Sequence, residues 1–212
     1  MDNVSVIIRN RNEERYIGYA IQSVLDTFEK PEIIVVDNNS TDNSMGIVNT
    51  FDFENIKTYS IDSYTPGKSL NYGVTKCSND YILILSAHSQ IMNCEFGKIK
   101  GLLDEYCVVG GKQIPVWNGK KISRRYVWSN FEEHDIINQA SESENRYFLH
   151  NAFAFYTKQT LTKYPFDEEL SGKEDRYWIN DRIKEGMDSY YDSVTTCHHH
   201  YTDNGATWKG IG

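Results

Sequence analysis

Several features are scarce in this chain of 212 residues, and each scarcity excludes something. There are four cysteines (Cys77, Cys94, Cys107, Cys197), widely spaced and with no Cys-x-x-Cys pair, so no disulfide scaffold is expected and reduced thiols are. No apolar run approaches the roughly 20 residues needed to cross a bilayer. The chain starts almost directly on a strand-like segment, so no signal peptide is expected. Positive charge is short: 22 Lys and Arg against 30 Asp and Glu leave a net charge of -8, without the basic footprint of a nucleic-acid binder. Internal repeats, low-complexity tracts and a convincing linker are also missing. What remains is a globular chain of a size for one domain, expected in the cytoplasm.

What is present is a layered pattern. Val4-Ser5-Val6-Ile7-Ile8, Ile33-Ile34-Val35-Val36 and Tyr81-Ile82-Leu83-Ile84-Leu85 are continuously apolar, as buried parallel strands are. Ile17, Ala20, Ile21, Val24, Leu25 and Phe28 recur at helical spacing. Further helices are expected through Met45, Val48 and Phe51, over Leu70–Cys77 and over Glu174–Glu185, with a strand at Ile56–Tyr59. This is α/β alternation. Polar clusters follow Ile8, Val36 and Leu85, at the carboxyl edge where open α/β sheets bind ligands. The second half is less regular: Val108–Gly111 and Phe148–Tyr156 read as strands, a last strand leads to His198-His199-His200, and about 114–146 carries no clear period. Fifteen tyrosines could suit sugar stacking, but core packing is the commoner use of such rings.

Five segments, "VSVIIRNRNEERYIGYAIQSVL", "EIIVVDNNSTDNS", "PGKSLNYGV", "DYILILSAH" and "GKEDRYWINDRIKEG", fall in order along nearly the whole chain. Together they resemble glycosyltransferase family 2. The resemblance implies a GT-A fold: a single Rossmann-like mixed sheet flanked by helices over residues 1–212. A nucleotide-sugar-binding lobe would lie at about 1–95 and an acceptor and catalytic lobe at about 96–212.

It also implies roles for particular residues. Asp37 would contact base or ribose, and Arg9, Asn10, Asn12 and Glu13 would line the nucleotide, as would Gly67, Lys68 and Asn71. Turn-making and capping remain the plain alternative for Asp37, and the preferred reading for Asp42; Lys68 could equally be a solvated lysine. Where the family carries Asp-x-Asp on a divalent cation, this chain has Ser86-Ala87-His88. His88 then stands at the direct ligand position, and His198 and His200, pointing the same way on an extended strand, are candidate second ligands. Imidazole favours Mn²⁺ over Mg²⁺. The alternative is histidines that hydrogen-bond the diphosphate, or simply an exposed basic cluster. Asp175 matches the catalytic base, with Glu174 as fallback; complementing a helix dipole is their plain alternative. Asn151, Ala152 and Phe153 would border the acceptor, and Tyr126–Tyr147, with Trp128, His134 and Arg146, would form a lid or acceptor surface.

The expected activity is inverting transfer from a nucleotide-sugar donor to a hydroxyl of a saccharide or glycolipid acceptor. The setting would be bacterial surface polysaccharide synthesis, with peripheral association at the inner face of the cell membrane. A nucleotidyltransferase is disfavoured because "RNRNEERY" has no glycine before Gly18, and a dehydrogenase because no GxGxxG follows a strand. A nucleotide-sugar-binding module without catalysis stays open, given the missing aspartates.

Overall fold

The computed structural model describes residues 2–117, 120–121, 126–142, 144–203 and 205. Twelve strands and six helices alternate among them: β1 (Val4–Asn10), α1 (Ile17–Thr27), β2 (Glu32–Asp37), α2 (Ser44–Val48), β3 (Ile56–Ser60), α3 (Pro66–Lys76), β4 (Tyr81–Ser86), β5 (Ser89–Asn93) and α4 (Phe96–Leu103) come first. Then follow β6 (Val108–Trp117), β7 (Lys120–Lys121), a 3₁₀ turn at Tyr126–Asn130, β8 (Ile136–Ile137), β9 (Ala140–Ser141), β10 (Arg146–Tyr147), β11 (Phe153–Thr157), α5 (Lys158–Lys163), α6 (Glu174–Lys184) and β12 (Ser189–His200).

The main sheet runs in the order β3-β2-β1-β4-β11-β6-β12-β5. Its first four strands are parallel. β11 enters antiparallel to both β4 and β6, and β12 runs parallel to β6. β12 therefore points the same way as β1, β2 and β4, and its histidines finish at the edge where those strands end. One continuous mixed sheet thus spans both halves of the sequence.

Alternation within the apolar strands fills two faces. Val6, Ile8, Ile33, Val35, Leu83 and Leu85 pack with Ile17, Ile21 and Val24 of α1 and with Ile99 of α4. Ile7, Ile34, Val36, Ile82 and Ile84 pack on the opposite side with Leu70 of α3 and with Trp178 and Ile179 of α6. This is why the strands read as unbroken apolar runs: each residue is buried on one face or the other.

Some boundaries differ from the sequence pattern. No element is expected over 89–103, yet β5 and α4 form there because Ile91, Phe96, Ile99 and Leu103 close the first core. β6 extends past Gly111 to Trp117 because β12 pairs with it far beyond the end of β11. A strand is expected from Phe148, but β11 begins only at Phe153. The backbone of 148–151 is used differently: Phe148 N–H donates to Gln139 O, and Asn151 N–H to Asp175. The four cysteines are free thiols, and burial pushes Cys77, Cys94 and Cys107 up to about 12.

Candidate active site

The loops after β1 and β2 are built as one unit. Asp37 is buried, and its Oδ1 accepts from Asn10 Nδ2 at 2.8 Å and from Ser40 Oγ at 2.6 Å. Its Oδ2 accepts the Ser40 N–H at 3.0 Å. Asn12 sits in the left-handed region (φ 53°), where a short polar side chain is tolerated, and its Oδ1 accepts the Thr41 N–H at 2.7 Å. Asp37 therefore fixes the loop that carries it, and a ligand contact would use lone pairs left over. Among the described residues, Asn10 Oδ1 and Asn38 Nδ2 are buried here without a hydrogen-bond partner. Asp42 stands one residue before Asn43, the N-cap of α2, and accepts the Ser44 N–H at 3.0 Å.

Ser86 ends β4 and His88 follows in the turn to β5. His88 Nδ1 lies 3.2 Å from Glu13 Oε1, and Thr202 Oγ1 donates to the same oxygen at 3.2 Å. Ser86 Oγ is 3.2 Å from His88 Nε2. One carboxylate thus links the β1 loop, the β4 turn and the segment after β12.

The strand period brings a different C-terminal histidine to His88 from the pair expected. His199 points inward, its ring 4.8 Å from that of His88, 5.7 Å from His150 and edge-on to Trp128 at 5.0 Å. Its Nδ1 pairs with Gln113 Oε1 at 2.9 Å. Burial, with the neighbouring imidazoles, holds His199 well below the usual histidine range. His200 stacks on Tyr16 at 4.9 Å, with His198 at its edge. Burial brings His200 down to about 4. Trp128, Gln113 and Thr202 carry no sequence signal for this role, because they converge from segments without a periodic pattern.

The acid pair begins α6, with Lys173 in the left-handed conformation just before it (φ 62°). Arg9 Nη1 pairs with Glu174 Oε1 at 3.2 Å across 165 residues. Burial raises the Glu174 pKa, Asp175 adds to this, and Arg9 opposes it. Asp175 Oδ1 accepts the Arg176 N–H at 2.8 Å and lies 3.3 Å from Arg176 Nη1, while Oδ2 accepts the Asn151 N–H at 3.0 Å. His150 is adjacent, and burial holds it down at about 3.

The Gly67-Lys68…Asn71 element lies apart from these contacts, on α3. Asn71 Nδ2 donates to Phe166 O at 2.8 Å and its Oδ1 accepts the Phe166 N–H at 3.0 Å, so this side chain braces the chain between α5 and α6. Lys68 Nζ donates to Ser63 Oγ. Gly67 is needed because a Cβ there would collide with the Asp167 carbonyl. Of the expected lid, the 3₁₀ turn places Trp128 against His199, Arg146 lies over Tyr177, and His134 is exposed; residue 143 lies outside the described residues.

A parallel half-sheet with polar loops at its carboxyl edge, continued by antiparallel strands that return a helix N-terminus and a histidine strand to that edge, is a GT-A architecture. The crystal structure of S. aureus TarS 1-349 in complex with UDP-GlcNAc superposes with TM-score 0.75 at 21% identity, covering 98% of this chain and 61% of that one. The profile of Glycosyl transferase family 2 matches residues 5–164, and the chain belongs to that family. It is 25% identical over 186 residues to the GalNAc(5)-diNAcBac-PP-undecaprenol beta-1,3-glucosyltransferase of Campylobacter jejuni, covering 85% of this chain and 60% of that protein. It is 28% identical over 191 residues to the minor teichoic acid biosynthesis protein GgaA of Bacillus subtilis, covering 83% of this chain and 42% of that one. The chain therefore spans about two fifths to three fifths of the length of these relatives.

Among the described residues no three His, Cys, Asp or Glu side chains converge on a cation position. Glu13 and His88, 3.2 Å apart, form a mixed oxygen and nitrogen pair. They would supply two ligands, leaving the rest of the shell to a bound diphosphate. No helix among the described residues is long and apolar enough to cross a membrane.

Proposed function

We propose that this chain is an inverting glycosyltransferase that moves a sugar from a nucleotide-sugar donor to a hydroxyl of a saccharide or glycolipid acceptor in bacterial surface polysaccharide synthesis. The observation that carries the reading is the meeting, at one sheet edge, of the β1–β2 loops with the Glu174-Asp175 pair through the Arg9–Glu174 contact at 3.2 Å. The named functions of the C. jejuni and B. subtilis relatives support the setting, and the UDP-GlcNAc in the TarS structure supports a uridine nucleotide as the first donor to try.

On this reading Asp37, Asn10, Asn12, Glu13, Arg9 and Ser86 shape or line the nucleotide site, while Asn71 braces the chain before α6 and Lys68 holds Ser63. Arg9 supplies positive charge beside the departing diphosphate. Asp175 is the general base, because its carboxylate is held by the Asn151 and Arg176 N–H groups while Glu174 is engaged by Arg9. A sugar hydroxyl is a weak acid, so Asp175 takes its proton as the oxygen attacks the anomeric carbon. Glu13 and His88 would hold a divalent cation, Mn²⁺ rather than Mg²⁺ because one ligand is imidazole; such an ion would neutralise diphosphate charge. His199 replaces His198 and His200 as the nearest histidine partner of His88. The site would work in the cytoplasm, against the inner face of the cell membrane.

A nucleotide-sugar-binding module without turnover is the second reading, favoured by Ser86 standing at a family aspartate position. Release of nucleoside diphosphate from a panel of UDP-, GDP- and dTDP-sugars, with and without lipid-linked saccharide acceptors, separates the two. Binding of a donor with no release under any acceptor condition would leave only the module.

A further inference from the structure

Asp175 does not stand alone with Arg176. The guanidinium of Arg176 is itself buried, and its Nε pairs with Glu144 Oε2 at 2.8 Å, shorter than the 3.3 Å from Nη1 to Asp175. Glu144 is also buried, at 4% side-chain exposure, on the turn between β9 and β10. That hairpin is clamped to α6 at further points. Tyr147 N–H donates to Asn180 Oδ1 at 3.3 Å, and the Arg146 guanidinium lies 5.3 Å from the centre of the Tyr177 ring. The Arg176 guanidinium covers Phe148 at the same distance.

A buried arginine with two carboxylates divides its charge between them. We propose that Glu144 is a positioning residue for the reaction: by drawing the Arg176 guanidinium toward the hairpin, it keeps the Asp175 carboxylate available as a base. This rests on the reading of Asp175 given above. With Glu144 neutral, Arg176 would close on Asp175, and a repulsive negative charge would also be lost. Both changes stabilise ionised Asp175, so its titration moves to lower pH and it becomes a weaker base. The other groups around Asp175 are Glu174 on its own helix, Arg9 from β1, His150 and Asn151 from the segment before β11, and Tyr156 on β11. Arg146 also approaches the Glu144 carboxylate, Nε to Oε2 at 3.8 Å, but Arg176 touches both Glu144 and Asp175, so changing Glu144 acts on Asp175 through Arg176.

The test is ¹³C NMR titration of the carboxyl groups in aspartate-labelled protein, with Asp175→Asn identifying the Asp175 signal. In Glu144→Gln the Asp175 midpoint should fall by about half a pH unit or more, with an otherwise unchanged amide spectrum. Should that variant not fold, Glu144→Asp, which keeps the charge but withdraws it by one methylene, should show a smaller shift in the same direction. An unmoved or raised midpoint overturns the proposal. With a turned-over donor, Glu144→Gln should lower kcat about threefold or more, with the donor KM unchanged. A raised KM at constant kcat would assign Glu144 to binding instead. The NMR titration reports on Glu144 even if Asp175→Asn retains turnover, an outcome that would remove Asp175 as base and leave the charge coupling standing.

Discussion

The side-chain amide of Asn10 donates a 2.8 Å hydrogen bond to Asp37 Oδ1, joining the ends of two parallel strands that are 27 residues apart in sequence. Ser40 adds its hydroxyl and its N–H to the same carboxylate. Asp37→Ala should therefore act twice. Leaving Asn10 and Ser40 without their acceptor should cost about 1–3 kcal/mol of stability, read from chemical denaturation. It should also weaken nucleoside diphosphate binding at least about tenfold, read by calorimetry. Unchanged affinity at reduced stability would confine Asp37 to shaping the loop.

Asp175→Asn should abolish turnover by about 10²- to 10⁴-fold while nucleotide affinity survives. Turnover within a few-fold of the wild type would exclude Asp175 as base and turn attention to Glu174, whose pKa burial raises.

The cation should be visible at His88. Nucleoside diphosphate binding should strengthen with Mn²⁺, weaken under EDTA, and lose its Mn²⁺ dependence in His88→Ala. Full affinity and turnover under chelation would show that Arg9 and its neighbours balance the diphosphate charge without a metal.

Acid should destabilise the fold through its inward histidines. His150, held at about 3, and His199, held well below its ordinary range, stay neutral in the folded protein at pH values where the unfolded chain takes up protons. Their contribution is complete above about pH 6.5 and is lost as pH falls from there toward the folded values. Each proton taken up on unfolding costs up to about 1.4 kcal/mol of stability per pH unit below that point, so melts at pH 7, 6 and 5 should show steepening loss. A flat profile would mean that these rings are not buried neutral.

Gly67→Ala should reduce stability by about 1–3 kcal/mol, because the added methyl meets the Asp167 backbone and not a side chain that can turn away. A thermal melt within a degree of the wild type would show that the segment after α5 moves aside freely.

The three apolar runs of the first half led to the parallel strands β1, β2 and β4 because a strand covered on both faces leaves an unbroken apolar record. The turn after β2 was legible because a polar cluster follows an apolar run directly, whereas the acid pair at the start of α6 was singled out by the family resemblance. The strand β12 was legible as an element, but not the face on which its histidines fall. Its register against β6 shifts between Asp192 and Thr196, which no residue pattern announces.

The sequence by itself determined the α/β alternation, the edge where polar loops gather, and the chemical types available there. Only the tertiary structure decided which of those groups meet. His88 has a partner in Glu13 from β1 and a neighbour in His199 from β12. The Asp175 carboxylate gained its Asn151 and Arg176 contacts, with Glu144 behind them. Local pattern records how each residue is buried against its own sheet or helix. Contacts spanning 75 residues, as from Glu13 to His88, depend on how strands are ordered and registered, and that order is set by packing across the whole sheet.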